Sequence, residues 1–244
     1  MNIIDRESAR SKGLNKFFTG QPCLRGHISE WYVSGPSCLE CTALSRKGIL
    51  EPLKIYGVGF NSGKRGHGFP AKTKEGVLRE YDHWRRMLQR SYDVKWQTLH
   101  PTYTECEVDK SWWDYQDFAR DFHDCEYRPK NSDLDKDLLV VGNKVYSKEL
   151  CVYLPEEINK TIIIEGTVSR WHSRDQVFEY NCNGIYLGRS SCPIKLGKLW
   201  VDTKIDRIKY LAGKYKDVIA PVAYKTLIEF EIAFDCDGRV FRVK

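Results

Sequence analysis

The sequence predicts a multidomain α+β protein, and three observations carry that expectation. Cysteine and histidine cluster early, in Cys23-Leu-Arg-Gly-His27 and Cys38-Leu-Glu-Cys41. Glycines and prolines crowd residues 49–76, and apolar residues then recur first at helical and later at strand spacing. Charge changes sign along the chain, with 12 basic and 6 acidic residues through Glu75, 13 and 17 from Gly76 to Lys160, and 14 and 10 from Thr161 onward. These shifts divide the chain into a basic metal-binding module (1–48), a glycine-rich linker (49–76), a central domain (77–160) and a small antiparallel sheet packed on a helix (161–244). Basic ends suit a polyanion, and an acidic middle suits a bound cation.

The totals restrict the function classes. Across 244 residues, 41% hydrophobic and 30% charged content is ordinary for a soluble globular protein. Aromatics at 13% suit small cores and flat recognition surfaces. No run approaches the roughly 18 apolar residues of a membrane span, and MNIIDRESARSKG lacks the apolar core of a secretory signal. A cytoplasmic location without membrane association is expected. Nine cysteines in that compartment point to metal rather than to disulfides.

Residues 1–16 read as a polar, basic arm or short helix. The spacing Cys23-x3-His27-x10-Cys38-x2-Cys41 gives two ligand pairs, each presented from a tight turn, as tetrahedral zinc requires. Three thiolates and an imidazole close the shell, so this zinc is structural. Metal binding supplies folding free energy of about 10–16 kcal/mol in comparable finger peptides. Arg25, with Lys16, Arg46, Lys47, Trp31 and Tyr32, suits phosphate contact and stacking. In the linker, Lys64 and Arg65 are expected to lie along a nucleic-acid backbone, and His67 reads as a solvated loop residue.

Leu78, Tyr81, Trp84, Leu88 and Tyr92 form one helical stripe, with Arg79, Arg85, Arg86 and Arg90 on other faces. A second helix is expected through Trp112, Tyr115, Phe118, Ala119 and Phe122. Cys106, Cys125 and Cys151 read as small apolar residues, and His83, His100 and His123 as structural ones. In the stretch from Leu134 to Asn159, Asp135 and Asp137 stand two apart on an expected strand and share a face, which suits a hard divalent ion. Gly142-Asn143 is expected to turn the chain and Val145–Leu154 to return as the second strand. Pro155 suits the first helical position, with Asn159 on the first turn. A plain hairpin with solvent-facing Asp and Lys explains the same residues. Beyond it, Ile162–Val168 reads as a strand, and Asn183-Gly184 joins two short strands decorated by Arg170, Trp171, Arg174 and Arg189. Leu199–Tyr215 and Tyr224–Ile228 read as helices, and a hairpin around Asp237-Gly238 follows. A small basic sheet backed by a helix is one way to read a DNA groove.

In order, PCLRGH…CLEC, YGVGFN, YDHWRRMLQRSY, PTYTECEV, SWWDYQDFARDF, LDKDLLVVGNKVYSKELCVYLPEEIN and the NGIYLG hairpin resemble phage-encoded HNH-type homing endonucleases with an APETALA-type DNA-binding domain. The resemblance implies a ββα-metal nuclease domain at 77–160, an APETALA-like domain at 161–244, double-stranded DNA as the partner, and one Mg²⁺ or Mn²⁺ ion at the phosphodiester; a monomer is expected. If the gene is phage-borne, the compartment is the host cytoplasm. Asp135 resembles the aspartate before the general-base histidine, and Asn159 the helix-borne metal ligand. Asp137 is expected to complete the ion's shell. Lys136 stands at the histidine's position, and with an ordinary pKa of ~10.4 it is a poor base. It is expected instead to hold the phosphate, with Asp137 accepting the proton of a metal-bound water. Leu150 replaces an asparagine that usually braces the second strand. The competing expectation is a DNA-binding or regulatory protein whose nuclease centre has lapsed. RNA binding through the zinc module and aromatics is a third, with no motif dedicated to it.

Overall fold

Asp5 starts the first helix by accepting the backbone N–H groups of Glu7 and Ser8, and α1 runs over Arg6–Ser11. The computed structural model describes residues 2–35, 37–63 and 67–243, in two compact units, Met1–Lys54 and Ile55–Lys244. In the first unit β1 (Lys16–Phe17) pairs antiparallel with β2 (Trp31–Tyr32), and α2 (Leu39–Arg46) follows. Among the described residues its apolar core is Ala9, Phe17 and Val33, with Ile4 and Trp31 against them. Arg6 fastens α1 to that core by donating twice to the Val33 carbonyl, at 3.0 and 2.9 Å.

The second unit opens with the glycine-rich stretch, which packs rather than swings. Phe60 exchanges backbone hydrogen bonds with Trp113 and Tyr115, and the Gln116 side chain grips both the N–H and the carbonyl of Phe69, at 2.7 and 2.9 Å. Gly59 is needed for close approach, since a Cβ there would collide with Leu88 and Trp84. After a two-stranded ribbon, β3 (Lys72–Thr73) and β4 (Gly76–Val77), α3 runs over Arg79–Tyr92 and α4 over Val94–Leu99. The expected second helix begins later than its apolar pattern suggested. Lys110–Trp112 is a 3₁₀ turn, and α5 (Tyr115–Asp124) starts where Asp114 caps it by accepting from Gln116 N–H. Trp84, Leu88, Tyr115, Phe118 and Phe122 close a core between α3 and α5, and the buried Trp84 indole donates to the Trp112 carbonyl at 2.8 Å.

Strand β5 (Glu107–Val108) runs parallel to β7 (Val145–Tyr146), whereas β6 (Ser132–Asp135) pairs antiparallel with β8 (Val152–Pro155). Val145–Leu154 is therefore not one return strand, because its two halves have different partners. β8 passes directly into α6 (Glu156–Thr161), with Pro155 as the cap residue just before the first helical position. Ile162–Val168, expected as a strand, is irregular, with a single bridge from Thr167 to Arg239.

β9 (Arg170–His172), β10 (Val177–Cys182) and β11 (Ile185–Ser190) form an antiparallel sheet with β10 central. Asn183 and Gly184 turn between the last two with φ of 49° and 81°, the left-handed pair that this hairpin turn demands. α7 (Gly197–Lys214) backs the sheet, tied by the Trp200 indole donating to the Asn181 carbonyl at 2.8 Å. α8 (Pro221–Ile228) and the hairpin β12 (Ile232–Phe234) with β13 (Val240–Arg242) complete the unit. The architecture is mixed α+β, with eight α-helices and six small sheets among the described residues.

The boundary expected after residue 160 is bridged by a shared core. Leu138, Val152, Leu154 and Ile158 of the central segment are buried with Tyr180, Trp200, Ile208, Leu211, Leu227 and Phe230. Leu154 has no exposed surface, so Leu154→Ala is expected to cost about 2–5 kcal/mol. Chemical denaturation followed by circular dichroism and tryptophan fluorescence should show the same lowered midpoint by both probes.

Candidate functional site

Three places carry the residues singled out from the sequence. The first is the cysteine–histidine cluster. Gly26, at φ 83°, lets the chain turn back so that Cys23 N–H meets the His27 carbonyl at 2.9 Å, while Arg25 N–H points at the Cys23 sulfur at 3.3 Å. Cys38 caps α2, and its sulfur accepts from Cys41 N–H at 3.3 Å. The Cys23 and Cys41 sulfurs are 3.8 Å apart, and His27 Nδ1 lies 3.2 Å from Cys41 Sγ and 3.9 Å from Cys38 Sγ. All four donor atoms fall within 4.8 Å of one another. That spread fits a tetrahedral zinc shell with Nδ1 as the imidazole ligand, so the set can hold a structural zinc ion. Burial and the neighbouring Cys38 and Cys23 sulfurs push Cys41 upward, so full deprotonation of the set calls for a cation. His27 Nε2 faces the Glu40 carboxylate at 4.0 Å. The half-buried Arg25 donates to the Glu51 carbonyl, an anchor within this unit.

The second place is the turn after β6. Asp135 Oδ1 accepts from Asp137 N–H and Leu138 N–H, at 3.0 and 2.6 Å, so its carboxylate caps the turn. Burial raises its pKa against the lowering effect of the Leu138 bond. Lys136 is not on the surface. It is 6% exposed, and its ammonium donates to Asp137 Oδ1 at 2.5 Å and to the Asn143 carbonyl at 2.8 Å. The Asn143 side chain returns a bond to the Lys136 carbonyl at 2.7 Å. The expected phosphate contact by Lys136 is thus overturned, because its side chain goes inward with those of Ser132, Leu134 and Leu138 and a buried ammonium needs those acceptors. Asp137 lies past the strand's end and pairs with Lys136, while sharing with Asp135 a cavity of about 250 Å³ beside Arg242. Arg242 holds the turn itself, donating to the Asp137 and Leu138 carbonyls at 2.8 and 2.6 Å.

Asn159 does not join that pair. Its amide donates to Asp133 Oδ2 at 3.3 Å, in a different cavity of about 280 Å³ walled by Arg79, Asp82, His83, Arg86 and Arg90 of α3. Cross-strand pairing sets Asp133 opposite Leu154, and α6 folds its first turns back over that end of β6. Arg79 spans the cavity edge, with Nη2 donating to the Ser132 carbonyl at 2.7 Å and Nε to His83 Nε2 at 3.4 Å. Arg86 pairs with Asp82 at 2.8 Å, and Arg90 and Tyr146 share the cavity wall. Burial, then the Arg79 charge, pushes His83 down to about 4, so the ring is neutral at neutral pH. Two signals in the sequence could have led here. Residues 79, 83, 86 and 90 lie on one helical face, and Asp133 shares the alternating face of Asp135.

The third place is the sheet β9–β10–β11. Its register lines up Arg170, Glu179 and Arg189 across three strands. Arg189 is engaged by Glu179 at 3.1 and 2.9 Å and by Asp175 at 2.6 Å. Arg170 and Arg174 are exposed, and Trp171, 50% exposed, leans on Phe178 with ring centres 4.9 Å apart. Lys64 and Arg65 lie outside the described residues.

Comparison of the chain with protein-family models, with curated proteins and with solved structures found no match. Among the described residues no helix is long and apolar enough to cross a membrane.

Metal analysis of the purified chain should find one zinc, lost in Cys38→Ser together with the fixed environment of Trp31 seen by near-ultraviolet circular dichroism. A second expectation concerns acid. His83 has a folded pKa near 4 against an ordinary 6.5, so the unfolded chain binds the extra proton between those values and stability falls as pH drops through that window. Thermal unfolding should show a loss on the order of 2–3 kcal/mol from this group, and His83→Gln should flatten the acid limb.

Proposed function

We propose that the chain is a metal-dependent DNA endonuclease of the ββα-metal kind. One observation carries the reading: the β6–β8 hairpin runs without a break into α6, whose Asn159 meets Asp133 beside an arginine-walled cavity. A carboxylate and an amide oxygen are the donors a hard Mg²⁺ or Mn²⁺ ion prefers, and Asp133 with Asn159 would hold it. The ion would supply electrostatic stabilisation of the charge that builds on the phosphate. Three guanidiniums against Asp82 and Asp133 leave one positive charge in excess, a match for a phosphodiester. In this reading Asp135 and Asp137 brace the turn instead of binding the ion, because Oδ1 of each already accepts hydrogen bonds within it and Asn159 lies in the other cavity.

Double-stranded DNA is the proposed partner, met by Arg170, Trp171 and Arg174 on the sheet and by the basic residues around the zinc cluster. The homing and phage-borne character rests on the resemblance of the ordered motifs. A second reading, a DNA-binding protein with a lapsed centre, is favoured by one observation, the buried Lys136 where a base is expected.

Supercoiled plasmid incubated with the protein should be nicked or cut with Mg²⁺ or Mn²⁺ and untouched when the divalent ion is omitted. Asp133→Asn should slow cutting on the order of 100-fold or more while gel retardation in Ca²⁺ persists. Retardation without any cutting by the unaltered chain would establish the lapsed protein instead.

A further inference from the structure

We infer that the base for the attacking water is His83, supplied by helix α3 rather than by the hairpin. This rests on the endonuclease reading above and adds to it the group that the hairpin lacks. The segment from Ser132 to Thr161 contains no histidine, and Lys136 is buried in hydrogen bonds to Asp137 and Asn143. In the cavity beside Asp133, Asp82 is paired with Arg85 and Arg86, and Asp133 with Asn159. His83 is the imidazole in that wall.

Its position is fixed. The ring packs against Phe122 with centres 5.8 Å apart and edge-on to Tyr153 at 6.2 Å. Arg79 Nε donates to its Nε2, which selects the tautomer carrying hydrogen on Nδ1 and leaves the Nε2 lone pair as the acceptor. At 3.4 Å this bond is long. A phosphate oxygen competes well for the guanidinium, because charge-assisted bonds to Arg are the stronger kind. Phosphate binding thus draws Arg79 from the ring and frees Nε2. The step then balances simply. Water gives one proton to Nε2 as its oxygen bonds to phosphorus, the bond from phosphorus to the leaving sugar oxygen breaks, and that oxygen takes a proton from solvent. The imidazolium returns its own proton to solvent.

The test compares the unaltered chain, His83→Gln and His83→Ala on supercoiled plasmid in Mg²⁺. Alongside, gel retardation is measured in Ca²⁺, Mn²⁺ affinity by electron paramagnetic resonance, and the unfolding temperature at pH 8. Both variants are expected to cut about 100–10,000-fold more slowly, with DNA retention and Mn²⁺ affinity unchanged, and added imidazole should restore His83→Ala at least ~10-fold. Equal cutting by the unaltered chain and His83→Gln overturns this assignment and leaves the endonuclease standing. Loss of cutting that imidazole does not repair, or that follows lost DNA retention or a collapsed unfolding temperature in both variants, also overturns it, since the residue is then structural. No cutting by the unaltered chain in any divalent ion overturns the endonuclease reading, and this inference with it.

Discussion

A four-residue strand without a solvent face organises the larger unit. All of Val152–Pro155 is buried, and its alternation feeds two cores at once. Tyr153 turns into the aromatic cluster of α3 and α5, and Val152 and Leu154 turn into the cluster built with α7 and α8. Each fully buried side chain of this kind contributes about 1.5–3 kcal/mol, and a one-residue slip would send every one of them to the wrong core. Register here is therefore strongly specified. With it comes the placement of Asp133 opposite Leu154, and of Asn159 on the helix that continues the strand.

Patterns of period 3.6 and the ligand spacing were legible in advance, whereas partner choice was not. The stripe of Trp84 and Leu88, the four zinc donors and the Asn183-Gly184 turn all appear where local chemistry put them. The parallel pairing of Val145–Tyr146 with Glu107–Val108 is non-local, and no periodicity within either segment announces it. Alternation identified a polar face on β6 but not which of its carboxylates the next helix would cover. That depends on how quickly β8 gives way to α6. Lys136 misled for another reason, since its charge suggested the surface while its place in step with buried Ser132 and Leu134 sent it inward. The glycines of residues 49–76 looked like slack, yet Gly59, for one, allows close approach to α3.

The carboxylate partners of the arginines on the sheet and in the cavity differ in what they permit. Arg189 is held by two carboxylates on an exposed sheet, where such pairs are each worth about 0–1 kcal/mol. A phosphate can displace them at small cost, but it must do so in competition. The guanidiniums facing Asp133 stand in a cavity, where fewer waters screen them and a bound anion gains more from the same charge.

Arg242 grips the carbonyls of Asp137 and Leu138 from a position 105 residues downstream of the former. Time enters through that separation. At about 5–20 residues synthesised per second, the turn leaves the ribosome on the order of 5–20 s before the arginine that fastens it. For most of that interval the nascent hairpin also lacks α7 and α8 in full, the other wall of its second core. Completion of the cavity beside Asp135 and Asp137 is thereby tied to the order of synthesis, and a chain halted before β13 would carry that turn without its clamp.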